Sequence, residues 1–302
     1  MRVVAHHLTA WLAYRPPYDW PAMRAFFAAR AIDGVEHVDR VGGRDRYVRS
    51  FVHGDTPGTV AIVHVPARAR LAVTIRCADR AAVPAVLARV RRVFDTGADV
   101  AAIAAHLAHD DLLAPLVARR PGLRVPGGWD GFELAMRAVL GQQVTVEAAR
   151  RLAGQLVRLC GGAVADPDHP AVTRTFPRSA DVAAADLSSL GMPGARKRTL
   201  IAIAEAALAE PRLFEPLATI EATVARLCTI RGVGAWTAHY IALRAAREPD
   251  AFPASDIGLL RGAAGPDGAR PTPDALAARA ERWRPWRAYA AQHLWAADAE
   301  RA

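Results

Sequence analysis

The first hundred or so residues carry short alternations of polar and apolar positions, and the rest of the chain does not. Arg46-Tyr47-Val48-Arg49-Ser50-Phe51-Val52 alternates and stops at Gly54-Asp55. Thr59-Val60-Ala61-Ile62-Val63-His64-Val65 and Ala69-Arg70-Leu71-Ala72-Val73-Thr74-Ile75 are β-rich runs separated by Pro66. Closely spaced runs with turn residues between them predict an antiparallel sheet. Two helices accompany it. One runs from Pro21 to Ala31, with a proline at its start, and the other from Ala81 to Phe94, with apolar positions recurring at three and four. Residues 1–105 are therefore expected to form a mixed α/β domain.

From residue 106 onward the apolar spacing is helical. Helices are predicted near 109–118, 129–140, 144–160, 194–209, 217–228, 235–247, 274–282 and 285–298. The breaks between them carry Gly and Pro, as at Pro121-Gly122, Pro126-Gly127-Gly128, Gly161-Gly162 and Pro193-Gly194. No strand is expected here, and 161–180 reads as a polar, irregular loop. The expected fold class is α+β: an N-terminal antiparallel sheet with helices, then an all-α domain over 106–302.

Composition narrows the function. At 302 residues the chain has room for about two domains and a sizeable core. Its 52% hydrophobic and 23% charged content excludes overall disorder. No run approaches the ~20 apolar residues of a membrane span. The start, Met1-Arg2-Val3-Val4-Ala5-His6-His7, has no long apolar region before a cleavage site, so no secretory signal is expected and a cytoplasmic location is. Cys77, Cys160 and Cys228 are too scattered for a disulfide framework or a zinc site, and the histidines form no ligand pattern. A net charge of +9 suits an anionic partner. Lys197 is the sole lysine, so any mechanism that needs an amine has one candidate.

The most informative stretch is Leu227-Cys228-Thr229-Ile230-Arg231-Gly232-Val233-Gly234-Ala235-Trp236-Thr237-Ala238-His239-Tyr240. One helical pattern ends near Cys228, a Gly-x-Gly turn follows, and a second helix begins near Ala235. Two glycines let the backbone turn tightly and approach a ligand. The unpaired N–H groups and positive dipole end of the second helix make a seat for a phosphate oxygen. Read alone, the turn serves equally as an ordinary helix–helix connection.

This stretch, with Asp256 twenty residues after Trp236, resembles the helix-hairpin-helix DNA glycosylase superfamily and, within it, the DNA-3-methyladenine glycosylase II family. Pro16-Pro17-Tyr18-Asp19-Trp20, Leu140-Gly141-Gln142-Gln143-Val144, Leu190-Gly191-Met192-Pro193 and Arg282-Trp283-Arg284-Pro285-Trp286-Arg287-Ala288-Tyr289 resemble further segments of that family in the same order. The resemblance implies a mixed α/β domain followed by two helical subdomains around a cleft. It implies a monofunctional enzyme that flips alkylated purines such as 3-methyladenine and 7-methylguanine out of damaged double-stranded DNA. Hydrolysis of the N-glycosidic bond would then start base-excision repair. A monomer in the bacterial cytoplasm, associated with the nucleoid, is implied as well. No cofactor is required, although a structural Na+ or K+ would be held by the main-chain carbonyls of Cys228, Ile230 and Val233.

By the same resemblance Asp256 is catalytic, and Phe26, Trp236, Tyr240 and Trp295 form the base pocket. Gln143, Arg231, Gly232, Val233, Gly234, Ala235 and Thr237 bind DNA. The residue types suit the chemistry. Asp256 alone reads as the N-cap of a short helix, and that position faces the positive end of a macrodipole, which favours an anion. A fixed anion stabilises the positive charge that develops on the sugar and can orient or deprotonate a water. An aromatic pocket attracts a cationic base by roughly 0.5–2 kcal/mol per contact, while core packing is the plainer use of Phe26 and Tyr240. No general acid is visible, which suits bases that are already charged.

The chain departs from the family in several places. Gln143 stands where a wedging leucine is common, and Arg231 where proline is usual, which adds a possible phosphate contact. Ile257-Gly258 replaces bulkier residues, so a roomier pocket floor is expected. Strand-cutting relatives carry a lysine where this chain has Trp236, so no AP-lyase activity is expected; Lys197 reads as a solvated helix residue or a phosphate contact. Arg282, Arg284 and Arg287 are candidates for gripping the DNA backbone or for an ordinary solvated helix face. Two other readings stand beside the first: the same scaffold acting on deaminated or oxidised bases, and a non-catalytic helix-hairpin-helix DNA-binding protein. Asp256 together with Trp236 argues against the latter, because phosphate binding needs neither.

Overall fold

The computed structural model describes residues 6–265 and 267–301. Met1–Ala5, most of the stretch read for a secretory signal, lies outside the described residues, as does the side chain of His6. Five strands, β1 (His6–Ala13), β2 (Glu36–Val41), β3 (Arg44–His53), β4 (Thr56–Val65) and β5 (Arg70–Cys77), form one antiparallel sheet in the order β1-β5-β4-β3-β2. The alternation in β3 to β5 predicts the three central strands. The sequence pattern missed β1 and β2, the two edges, because edge strands bury little and show faint alternation. Leu71, Val73, Ile75 and Cys77 of β5 face inward at every second position. Onto this face pack α1 (Trp20–Arg30), through Trp20, Met23 and Phe27, and α2 (Ala82–Val93), through Val86, Val90 and Val93.

The opposite face is covered by the segment that the sequence reading took for an irregular loop. Val172 packs on Val48 and Ala61, and Thr59 donates to Asp166. Residues 161–178 thus form an ordered strap, pinned by a bridge between Gly34 and Val172 and another between Ala163 and Arg174.

The helical part comprises α3 (Val100–Leu107), α4 (Ala114–Arg119), α5 (Gly131–Leu140), α6 (Val146–Cys160), α7 (Ser179–Ala183), α8 (Gly194–Ala209), α9 (Ile220–Cys228), α10 (Ala235–Ile241), α11 (Ile257–Gly262), α12 (Pro273–Ala280) and α13 (Arg287–Arg301). α3 crosses residue 105 and packs Ile103 and Leu107 into the helical part. Two apolar cores divide these helices. One gathers Leu134, Met136, Leu156, Ile203, Leu227 and Ile241; the other gathers Ile103, Leu113, Leu259, Trp283 and Leu294. No helix among the described residues is long and apolar enough to cross a membrane.

A buried ion network joins the sheet to the first helical core. Arg49 on β3 donates to Glu133 on α5 at 2.6 Å, and Arg137, one turn further along α5, donates to Glu133 at 2.7 Å and to Glu36. Tyr47 adds a hydroxyl bond to Glu36 at 2.6 Å, and Arg137 also reaches the carbonyl of Arg30 at 2.9 Å, at the end of α1. Burial alone would push the Glu133 carboxyl up, but the charges of Arg49 and Arg137 outweigh it and bring its pKa down to about 2. A lowered folded-state pKa contributes stability above the ordinary 4.5, and that contribution is lost as pH falls towards about 2. Glu133→Gln removes the charge and leaves two guanidinium groups buried without it. It is expected to cost about 3 kcal/mol near neutral pH. Denaturant unfolding should also show that the variant loses less further stability than the wild type on acidification.

Candidate active site

Asp256 caps α11, and its carboxylate accepts three hydrogen bonds, all from neutral donors. Oδ1 accepts from the Leu259 N–H at 3.1 Å and from the Trp295 indole at 2.9 Å. Oδ2 accepts from the Trp236 indole at 2.7 Å. The two uses that the sequence left open for this residue are one geometry: the cap aims the group, and two indoles fix its rotamer. Arg261, on the same helix, pairs instead with Asp298 at 2.7 Å, and Asp256 forms no ion pair among the described residues. Its negative charge is held without being cancelled, on a half-buried carboxylate.

The two indoles come from different bodies. Trp236 is in the first turn of α10, whose Ala238 and Ile241 lie in the first core, and Trp295 is on α13 and packs against the second. Trp236 and Tyr240 lie four residues apart on one helical face and stack with centroids 5.5 Å apart and planes at 11°. Tyr240 meets Trp295 edge to face at 6.3 Å. Phe26, from α1, completes the cup through Arg244, whose guanidinium lies 4.6 Å from the Phe26 ring, 5.1 Å from Tyr240 and 4.9 Å from Trp295. Arg30 covers the Phe26 ring at 4.1 Å. The structure therefore brings together Asp256, Phe26, Trp236, Tyr240 and Trp295.

Arg244 is the residue that sequence reasoning missed. It lies in a π-helical segment, Ala242–Ala246, that continues α10 and is buried throughout. An arginine inside the apolar run Ile241-Ala242-Leu243-Arg244-Ala245-Ala246 was the available signal. π-Helical insertions frequently sit at functional sites.

The expected roomier floor is not present. Ile257 points outward, 52% exposed. Gly258 is buried, and a Cβ there would lie 3.0 Å from Trp295 and 3.1 Å from Asp256 Oδ1. The missing side chain leaves no vacancy, because it lets α11 approach α13 closely.

The hairpin lies on the same helix as Trp236. Gly232 adopts φ +86°, and a Cβ there would fall 1.9 Å from Thr199 Oγ1, so glycine is required on two counts. The N–H groups of Gly234 to Thr237 find no backbone acceptor among the described residues, and no side chain caps this terminus. Arg231, Gly234 and Ala235 are exposed. Val233 and Thr237 face inward, and the Thr237 hydroxyl accepts from the Gln142 amide at 3.0 Å, so this side chain braces the neighbouring loop and is not itself presented outward. Arg196 donates to the Gln142 carbonyl at 2.6 Å. With Gln142 pinned twice, Gln143 is thrown outward with φ +58°, an uncommon conformation for a residue with a side chain.

Among the described residues no donor reaches the carbonyls of Cys228 and Val233, while that of Ile230 accepts one bond, from Val233 N–H at 3.0 Å. Carbonyls with unused lone pairs around one turn are the hard oxygen donors that suit an alkali cation. No group of three or more His, Cys, Asp or Glu is placed to hold a metal ion among those residues.

The C-terminal arginines are used internally. Arg284 and Arg287 both pair with Asp250 and Glu281, and Arg287 is buried. A guanidinium committed to two carboxylates has little left for phosphate, which removes Arg284 and Arg287 from the candidates for a backbone grip. Lys197, on α8, donates to the Ser188 carbonyl.

A family model described as HhH-GPD superfamily base excision DNA repair protein matches residues 136–288, and one described as the AlkA N-terminal domain matches residues 9–130. The chain is 35% identical to DNA-3-methyladenine glycosylase 2 of Escherichia coli over 288 residues, 94% of this chain and 95% of that protein. It is 38% identical over 284 residues to the probable bifunctional transcriptional activator/DNA repair enzyme AlkA of Mycobacterium tuberculosis. That match covers 94% of this chain and 56% of the relative, so the chain spans little more than half of the latter's length. Among solved structures, a 3-methyladenine DNA-glycosylase from Archaeoglobus fulgidus superposes with a TM-score of 0.81 over 96% of this chain and 98% of its own, at 20% identity, and shares the fold.

The hairpin geometry is directly testable. Gly232→Ala combines a left-handed backbone with a clash and is expected to destabilise the chain by about 1–3 kcal/mol, read as a lower melting temperature. Adding Thr199→Ala should restore the steric part of that loss and leave the backbone part.

Proposed function

We propose, since the chain belongs to the HhH-GPD superfamily of base excision DNA repair proteins and within it to the DNA-3-methyladenine glycosylase II family, that it is an alkylbase DNA glycosylase. It would extrude an alkylated purine from double-stranded DNA, hydrolyse the N-glycosidic bond and so start base-excision repair. The observation that carries this reading is the Asp256 carboxylate, held by two indoles and a backbone N–H beside an aromatic cup. A DNA-binding module needs no such anion.

Extrusion costs a few kcal/mol of unstacking. Gln143, exposed and turned outward, would fill the gap left in the stack, with an amide that can hydrogen-bond the orphaned base. The free N–H groups from Gly234 to Thr237 and the exposed Arg231 hold a backbone phosphate. The carbonyls of Cys228, Ile230 and Val233 would hold a monovalent cation, which would add positive charge beside that phosphate when bound. As the C1′–N bond stretches, positive charge accumulates on the deoxyribose. A carboxylate preorganised by fixed donors stabilises that charge without reorganising, and can take a proton from the attacking water. The aromatic cup holds the base by stacking.

Trp236 occupies the hairpin-helix position at which strand-cutting relatives carry a lysine, and Lys197 is engaged with Ser188 on α8. We accordingly read the enzyme as monofunctional, without AP-lyase activity; that it works as a monomer in the cytoplasm rests on the family resemblance alone.

Asp256→Asn keeps the shape and the cap but removes the charge. It is expected to lower release of 3-methyladenine and 7-methylguanine from methylated duplex DNA at least ~10²-fold, with duplex binding largely retained. Near-normal release would remove the catalytic assignment. Incubation with an abasic duplex and borohydride should leave the strand uncut and trap no covalent complex.

A further inference from the structure

A buried cation sits behind the base cup with no anion to balance it. Arg244 is 3% exposed; its Nη1 donates to the Pro126 carbonyl at 2.8 Å, its Nη2 to Gln292 Oε1 at 3.3 Å, and its Nε has no partner. No carboxylate pairs with it among the described residues, although an unpaired charge in a protein interior is costly. Its remaining neighbours are the rings of Phe26, Tyr240 and Trp295. Of these only Tyr240 carries a proton that it can release, and it is stacked on the indole that fixes Asp256.

We propose that Tyr240 is a catalytic residue that donates its hydroxyl proton to bases that are uncharged before cleavage, with Arg244 supplying the counter-charge of the resulting phenolate. The proposal rests on the glycosylase reading and extends it to a second leaving-group class. In the step, the C1′–N electron pair goes to the base, and the Tyr240 proton goes to the base, which leaves neutral. Water on the Asp256 side attacks C1′, and the proton it loses passes through Asp256 and solvent back to the phenolate. A base alkylated at N3 or N7 is already cationic and leaves neutral without that proton.

The charged groups around the phenol support the assignment. Burial would push the Tyr240 hydroxyl up, but the charges of Arg244 and Arg30 outweigh both burial and the opposing charge of Asp256. The net effect holds it below the ordinary tyrosine value. Such a phenol is a better proton donor than a free one and stops donating once pH rises through its lowered pKa.

Single-turnover release should be measured for the wild type and Tyr240→Phe on two duplexes, one carrying deoxyinosine and one carrying 7-methyldeoxyguanosine, from mildly acidic to mildly alkaline pH. Tyr240→Phe is expected to depress hypoxanthine release at least ~10-fold more than 7-methylguanine release. The wild-type ratio of the two rates should decline on the alkaline side, and the variant's should not. Equal depression of both substrates would mean that the ring only packs, and would overturn the proposal. So would a wild type that frees 7-methylguanine but no hypoxanthine. A wild-type ratio flat across pH would overturn it even if the variant does not fold. A wild type that frees neither base contradicts the glycosylase reading itself, a separate failure.

Discussion

The site depends on holding a carboxylate charged without either solvating it freely or pairing it with a cation. Free hydration would leave Asp256 mobile, and an arginine partner would cancel the field that the proposed reaction asks of it. Two indole N–H groups solve this because a tryptophan donates one hydrogen bond, accepts none and carries no charge. The third donor, the Leu259 N–H, belongs to the helix that Asp256 caps, so the residue that starts α11 is aimed by the same bond. Since α10, which carries Trp236, packs Ala238 and Ile241 into one helical core and Trp295 packs against the other, the carboxylate is held from both.

The sheet domain reaches this junction through α1. The ion network around Glu133 takes hold of the Arg30 carbonyl, which fixes the end of the helix bearing Phe26. The cup is therefore aromatic at its surface and cationic behind it, with Arg30 and Arg244 both against Phe26. In such a cup stacking is retained, and the attraction of the rings for a cationic base is partly spent on guanidinium groups already there.

The helical part was legible where its periodicity is strong, as in α6, and elsewhere, as in α8, from long runs bounded by Gly and Pro breaks. The pattern places a helix at 194–209, where α8 is found, and its reading of 144–160 differs from α6 by two residues at the start. The central strands were legible from alternation, and the edges were not. Asp256 was legible as a cap, and the resemblance named Trp236 and Trp295 for the base pocket, not as the donors to Asp256 that they are. Arg244 was hidden because sequence alone does not distinguish a buried arginine from a solvated one on the far side of a helix. The strap at 161–178 was hidden because its order comes from long-range contacts, such as Asp166 with Thr59, that leave no periodic trace. Arg284 and Arg287 looked free for the same reason, as Asp250 is remote from both in sequence.

Whether the indoles act through the carboxylate is decided most directly by coupling. Trp236→Phe and Trp295→Phe should each be measured for single-turnover base release in the presence of Asp256 and again with Asp256→Asn. With Asp256 present, each loss of a donor to a charged group is expected to slow release by about 10- to 100-fold, from roughly 1.5–3 kcal/mol per bond. With the carboxylate gone, each should add almost nothing. Equal losses in both backgrounds would mean that the tryptophans serve only by stacking, and would contradict the account of the site.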